Sequence, residues 1–245
     1  MTYPGISVFH FSLFSFLFSL PLMSSIADNL NTVISTLPKG VGLVAVSKYH
    51  PAEAIMEAYE AGQRVFGESK AQELQEKHER LPKDIEWHFI GHLQTNKVKY
   101  IAPYVSLIHS IDSPRLLEEV DRQAQKVGRR IDCLLQLHIA QEETKFGFSF
   151  DECGMLLAEG GWKRMTGVRL RGLMGMASLT DDEEQVRREF LSLAAFFHEA
   201  KARWTADEPA FDVLSMGMSD DYRIAVEAGS TMVRVGSKIF GQRNY

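Results

Sequence analysis

Lys48 is the residue whose type and setting come nearest to covalent chemistry. It follows the apolar run Leu43-Val44-Ala45-Val46, at the edge of a low-dielectric core. Burial disfavours the charged form of a lysine, and a neutral amine attacks carbonyl carbon. Alone, such a lysine is more simply a side chain snorkelling to the rim of a core. A second group of residues changes that balance. Ser215, Gly217 and Ser219 fall in one short connection, and Gly236 and Ser237 in another. Glycine lets backbone N–H groups approach an anion closely and hydroxyls add donors, so the two turns suit a phosphate; the plain alternative is two ordinary turns and a helix cap. Glu68, His92 and Asn96 are catalytic by residue type alone. His88 and His92 are four apart but straddle a strand end and a loop, so they make no helical metal pair, and no metal is expected.

These residues need a frame, and the hydropathy pattern supplies one. After Met23 no Pro/Gly/Ser-rich linker divides the chain, and short apolar runs alternate with longer amphipathic ones. The strand runs are 42–48, 64–69, 85–91, 105–111, 131–139, 170–177, 211–216 and 232–239. The helical runs are 24–37, 51–62, 70–81, 95–101, 113–128, 150–159, 181–204 and 219–229, the last expected to be capped by Ser219. Strands alternating with helices pair in parallel through right-handed crossovers, and eight such units close into a barrel. An open doubly wound sheet usually carries a Gly-rich turn after its first strand, whereas this one ends Ser-Lys-Tyr-His-Pro. The expected fold is therefore α/β, a single (β/α)8 barrel with an additional N-terminal helix.

Active sites of such barrels stand at the C-terminal ends of the strands. Lys48 ends strand one, Gly67-Glu68-Ser69 strand two, Gly91-His92 strand three, Ser110-Ile111-Asp112 strand four and His138 strand five. Met174-Gly175-Met176 lies in strand six, Ser215-Met216-Gly217 ends strand seven, and Arg234-Val235-Gly236-Ser237 runs along strand eight. A carbonyl-reactive lysine with a phosphate cradle fits two chemistries. One is a Schiff-base aldolase acting on a sugar phosphate, and the other is pyridoxal phosphate held as an aldimine. The position of the lysine on the first strand counts against the aldolase.

Composition narrows the classes further. The chain has 245 residues, 45% of them hydrophobic, enough for one substantial core. A net charge of -5 and the lack of a long basic run argue against nucleic acid. Cys133 and Cys153 form no CxxC and read as small buried hydrophobes, in keeping with a reducing cytoplasm. Residues 6–22 are apolar and uncharged like a signal-peptide core, but no Lys or Arg precedes them, and they are short and serine-rich for a membrane span. We read 1–22 as an upstream extension before a start at Met23, and 23–245 as the barrel domain, cytoplasmic and without membrane attachment.

Six strings make the reading specific: LVAVSKYHP (43–51), FGESKAQE (66–73), HFIGHLQTNK (88–97), RGLMGMA (171–177), LSMGMSDDY (214–222) and GSTMVRVGSKIFG (229–241). In continuous order they closely resemble the pyridoxal phosphate homeostasis protein family, itself similar to the N-terminal barrel domain of alanine racemase. The resemblance implies a fold type III protein binding pyridoxal 5'-phosphate, with Lys48 forming the internal aldimine. It implies that Ser215, Gly236 and Ser237, joined by Ser219, hold the phosphate, that Arg234 faces the pyridine nitrogen, and that Met174 and Met216 pack near the ring. A guanidinium there disfavours protonation of the ring nitrogen and weakens the cofactor as an electron sink. The chain departs from the family pattern at Ser69 and His138, where Asn is common, and at Phe146, where a small residue is usual before Gly147. The second base of the racemases comes from a C-terminal domain, and this chain ends just after strand eight. The expectation is thus a monomeric, non-catalytic protein of intracellular pyridoxal phosphate homeostasis, with apo forms of pyridoxal phosphate enzymes as partners. An amino-acid racemase of low activity is the alternative.

Overall fold

In the computed structural model, which describes residues 1, 25–142 and 146–242, eight parallel strands pair in chain order and β8 returns to β1 to close a barrel. The strands are β1 (Gly42–Val46), β2 (Val65–Glu68), β3 (Glu86–Phe89), β4 (Leu107–Ile111), β5 (Ile131–His138), β6 (Val168–Met176), β7 (Val213–Ser215) and β8 (Met232–Val235). Around them stand α1 (Ile26–Ser35), α2 (Ala52–Glu60), α3 (Ala71–Arg80), α4 (Val98–Ile101), α5 (Pro114–Lys126), α6 (Phe150–Glu159), α7 (Glu183–Arg203), α8 (Tyr222–Glu227) and α9 (Ser237–Phe240). The expected extension 1–22 and the start at Met23 lie outside the described residues. Among the described residues no helix is long and apolar enough to cross a membrane.

Local chemistry explains the helix starts. Ser25 and Asp28 form a reciprocal capping box on α1, Ser149 and Glu152 one on α6, and Ser113 and Asp182 cap α5 and α7. The additional helix α1 is tied to both ends of the barrel sequence. Ile26 N–H donates to Glu57 on α2 at 2.8 Å and Asn29 Nδ2 to the Ile239 carbonyl on α9 at 3.2 Å.

Three boundaries differ from the sequence pattern in ways that matter for the site. β1 stops at Val46, because the next residues turn: His50 N–H donates to the Ser47 carbonyl at 3.1 Å, so Lys48 sits in a turn rather than on a strand. β8 stops at Val235, because the N–H groups of Ile239 and Phe240 close onto the Gly236 carbonyl and start α9. Ser219 does not cap α8, which begins at Tyr222 with Asp221 before it. The Ser219 hydroxyl instead accepts the Gly236 N–H at 3.1 Å.

Period-two alternation divides the core. Outward-facing residues such as Phe66, Trp87, Phe89 and Leu214 form a large cluster with the helices, which also takes in Cys133 and Cys153. Leu107, Leu134, Met174 and Val213 form a smaller apolar cluster, with Met176 and Met232 against it. β6 approaches β7 so closely that a Cβ on Gly172 (φ 147°) would lie 1.8 Å from the Val213 carbonyl oxygen. Gly172→Ala is therefore expected to lose about 3 kcal/mol of stability in urea unfolding, through overpacking and backbone strain together.

Candidate functional site

Closure of β8 on β1 brings the two ends of the sequence to one sector of the barrel mouth. Val44 pairs with Arg234 and Ala45 with Val235. One residue beyond that pairing, a Cβ on Gly236 would lie 3.1 Å from the Val46 carbonyl oxygen and 3.3 Å from the Val46 Cβ. The Lys48 turn, Gly236, Ser237 and Ser219 thus gather on neighbouring strand ends, with Lys48 half-buried. Gly217 has φ 93°, and a Cβ there would lie 2.6 Å from the Ala225 Cβ, so glycine lets the turn after β7 pack onto α8. Beside this sector a cavity of about 420 Å³ opens between the β6–α7 and β7–α8 connections, lined by Met176, Ser178, Met218, Asp221 and Ile224 among others.

A buried polar chain runs through the barrel interior. Arg234, only 4% exposed, donates to the Ser215 hydroxyl at 2.6 Å, to the Ser215 carbonyl at 2.9 Å and to the Gly175 carbonyl at 3.0 Å. The Ser215 hydroxyl lies 3.0 Å from His109 Nδ1, and His109 Nε2 lies 3.0 Å from His88 Nδ1. An arginine only donates, so the Ser215 oxygen accepts from it and turns its proton to His109 Nδ1. His109 then carries its proton on Nε2 and donates to His88. Both imidazoles stay neutral: burial pushes His88 down to about 3, and burial with the nearby His88 and Arg234 holds His109 well below its ordinary value. Burial also lowers Arg234 to about 10, which leaves it a cation at neutral pH.

Ser215, expected with the phosphate, has its side chain inside the barrel, where Arg234 and His109 engage its hydroxyl. Met216, expected near the ring, is fully buried in the cluster between barrel and helices. Met174 lies in the inner apolar cluster. His88 reaches His109 rather than His92. His92 Nδ1 lies 3.0 Å from Asp112 Oδ2, and the His92 ring stacks on Phe146 at 3.9 Å. His138 Nε2 bonds to the Glu142 carbonyl at 2.8 Å. Asn96 lines a shallow depression with Arg115 and Arg122, outside the barrel. Among the described residues no group of three or more His, Cys, Asp or Glu is arranged to hold a metal ion.

The sequence pattern also passed over a charged cluster beneath the Lys48 turn. Glu68 is fully buried on the outer face of β2. Its Oε1 accepts from the Ser47 hydroxyl at 2.6 Å and from Lys77 Nζ at 2.8 Å. Lys77 also donates to the Ser47 carbonyl at 2.9 Å and to Glu73 at 2.6 Å. Glu73 accepts the Tyr49 N–H at 2.6 Å, and Tyr49 holds φ 68°, rare for a residue with a side chain. The one signal in the sequence was the i,i+4 pair Glu73–Lys77, which on a strongly charged helix reads as a solvated face.

The alanine racemase N-terminal domain family matches residues 23–244. The pyridoxal phosphate homeostasis protein of Vibrio alginolyticus is 39% identical over 238 residues, covering 91% of this chain and all of that one. The protein of the same name from Aquifex aeolicus is 39% identical over 204 residues, covering 83% and 87%. PipY of Synechococcus elongatus PCC7942, solved with PLP bound, is 38% identical with a TM-score of 0.80, covering 88% of this chain and 100% of that one. An alanine racemase of Clostridium difficile 630 shares the fold at a TM-score of 0.75 and 12% identity, covering 91% of this chain and 58% of that one.

The buried carboxyl has a signature in solution. Burial pushes Glu68 up from 4.5 to about 7, against the opposing charge and hydrogen bond of Lys77. Between those values the folded protein keeps a proton that the unfolded chain has lost. The contribution is full below pH 4.5 and is lost as pH rises through 7. Glu68→Gln is expected to gain stability relative to the parent across that interval, by up to roughly 3 kcal/mol in urea unfolding.

Proposed function

Because this chain belongs to the alanine racemase N-terminal domain family, and within it to the pyridoxal phosphate homeostasis proteins, we propose that it binds pyridoxal 5'-phosphate and serves in the homeostasis of that cofactor. When bound, the cofactor supplies an aldehyde that condenses with a primary amine, a phosphate dianion and an electron-accepting ring. The observation that carries the reading for this chain is the contact of the β1 and β8 ends, which sets the Lys48 turn beside Gly236 and Ser219.

The residues fit the group. Arg234 is a buried cation whose hydrogen bonds among the described residues go to neutral oxygens, so the mouth has a positive floor suited to an anionic ligand with an unprotonated, neutral pyridine nitrogen. Lys48 is the amine that anchors the aldehyde. Ser219, Gly236 and Ser237 hold the phosphate through hydroxyls and backbone N–H groups, where glycine permits close approach. Arg234 faces the ring nitrogen as a donor and keeps a proton off it. Ser215 belongs to the site one step back, as the group that aims Arg234. Met174 closes the floor.

Two-base racemisation needs a proton carrier on each face of the cofactor, and a carrier protein does not. The low-activity racemase alternative has one observation in its favour, the His92–Asp112 pair at the mouth, a base oriented by a carboxylate. Carriage suits a monomeric, cytoplasmic protein that passes its cofactor to apo forms of pyridoxal phosphate enzymes. That step is read as transfer of the cofactor to an added apoenzyme.

The holoprotein is expected to show a visible absorbance band, fixed at Lys48 by borohydride, that Lys48→Ala abolishes. A band that survives in that variant would exclude Lys48 as the anchor. Amino acids incubated with the holoprotein in deuterated water are expected to exchange their α-proton negligibly, and rapid exchange of one of them would favour the racemase. Ser219→Ala is expected to weaken pyridoxal phosphate binding about tenfold, ~1.4 kcal/mol, and to leave unphosphorylated pyridoxal unaffected. Ser215→Ala is expected to shift the absorbance spectrum without that phosphate selectivity.

A further inference from the structure

The turn that carries Lys48 is held on both sides by one buried cluster. On the N-terminal side, Ser47 is engaged at every polar atom. Its N–H donates to the Gly67 carbonyl, its hydroxyl to Glu68, and its carbonyl accepts from Lys77. On the C-terminal side, the Tyr49 N–H donates to Glu73 at 2.6 Å. Lys77 joins the two halves, because its three ammonium donors serve Ser47, Glu68 and Glu73. Between these clamps the backbone passes through the left-handed conformation at Tyr49.

Two features set this cluster apart from ordinary surface ion pairing. Lys77 is only 7% exposed and Glu68 is fully buried, so their desolvation opposes folding, and a well-packed apolar pair would serve the core at least as well. The positive φ at Tyr49 is likewise unfavourable and persists only where neighbouring groups enforce it. The Glu73 bond is charge-assisted and falls on the N–H of that strained residue.

We propose that Glu68, Lys77 and Glu73 are positioning residues for Lys48: they lock the Ser47–Tyr49 turn into one strained conformation, so that the Lys48 amine is oriented towards its aldehyde partner before that partner arrives. The proposal rests on Lys48 being the cofactor anchor. Pre-organisation of this kind raises affinity by removing the ordering that binding would otherwise require.

The test compares Lys48 in apoprotein and holoprotein. In the apoprotein, Lys48 is labelled with unphosphorylated pyridoxal and borohydride, and the rate is read by peptide mass spectrometry. In the holoprotein, affinity for pyridoxal phosphate is read by absorbance titration. Glu73→Ala frees the Tyr49 N–H at a partly exposed position. It is expected to slow labelling and to raise Kd about tenfold each, ~1.4 kcal/mol in the latter. Glu73→Gln keeps an acceptor there and is expected to restore both. The paired Glu68→Gln, Lys77→Met variant leaves no charge at the two most buried positions, and it is expected to reproduce the Glu73→Ala loss even if Glu73→Ala folds poorly. Labelling and Kd that stay at parental values in these variants, with or without a lower melting temperature, overturn the proposal and leave the cluster a staple of the fold. A parent protein that labels elsewhere than Lys48, or binds no pyridoxal phosphate, overturns the anchor reading instead.

Discussion

The pairing of β8 with β1, with Val44 opposite Arg234, is the contact on which the barrel mouth depends. The chain places Lys48 near one end of the barrel sequence and the Gly/Ser turns near the other. Closure sets them on adjacent strands, and the fit of Gly236 against Val46 shows how little space separates them. An open sheet with the same strands would leave the amine and the phosphate turns at opposite edges. The parallel direction of all the strands does the rest, because it brings every strand's C-terminal end to one face.

Two buried polar systems flank the barrel wall in this sector, and they differ in kind. Inside, Arg234, Ser215, His109 and His88 form a chain with one cation and neutral partners. Outside, Glu68, Lys77 and Glu73 form a compact ionic cluster beneath the Lys48 turn. The inner chain has one fixed charge and holds it under the mouth, where an anionic ligand gains most from it. The outer cluster lies behind the barrel wall and grips the backbone on either side of Lys48, so its influence is mechanical. Neutral imidazoles suit the inner role, since a second cation beside Arg234 would be strongly disfavoured at that depth.

Much of the fold was legible before any coordinates. The alternation of period-two and helical runs gave eight units in the right order. Boundaries near the mouth were less legible. Residues 47–48 and 236–239 read as continuations of strands because their composition is compatible with one. They turn because the Ser47 and Gly236 carbonyls accept N–H groups from the next few residues. Ser219 looked like a helix cap by type and position, yet its partner is an N–H from β8's end, remote in sequence.

The sequence by itself determined the barrel, the anchor candidate Lys48, and the gathering of glycine and serine in the two late turns. Each of these is written in local periodicity or in motifs. Only the tertiary structure decided which way side chains faced. Consecutive residues on a strand point to opposite sides, so a one-residue change of phase separates a mouth residue from a core one. That is why Ser215 proved to be Arg234's partner and Met216 a core residue. The cluster of Glu68, Lys77 and Glu73 was beyond reach for a related reason. An exposed i,i+4 pair and a buried one have the same sequence, and only the packing of α3 over β2 and the Lys48 turn makes this one buried.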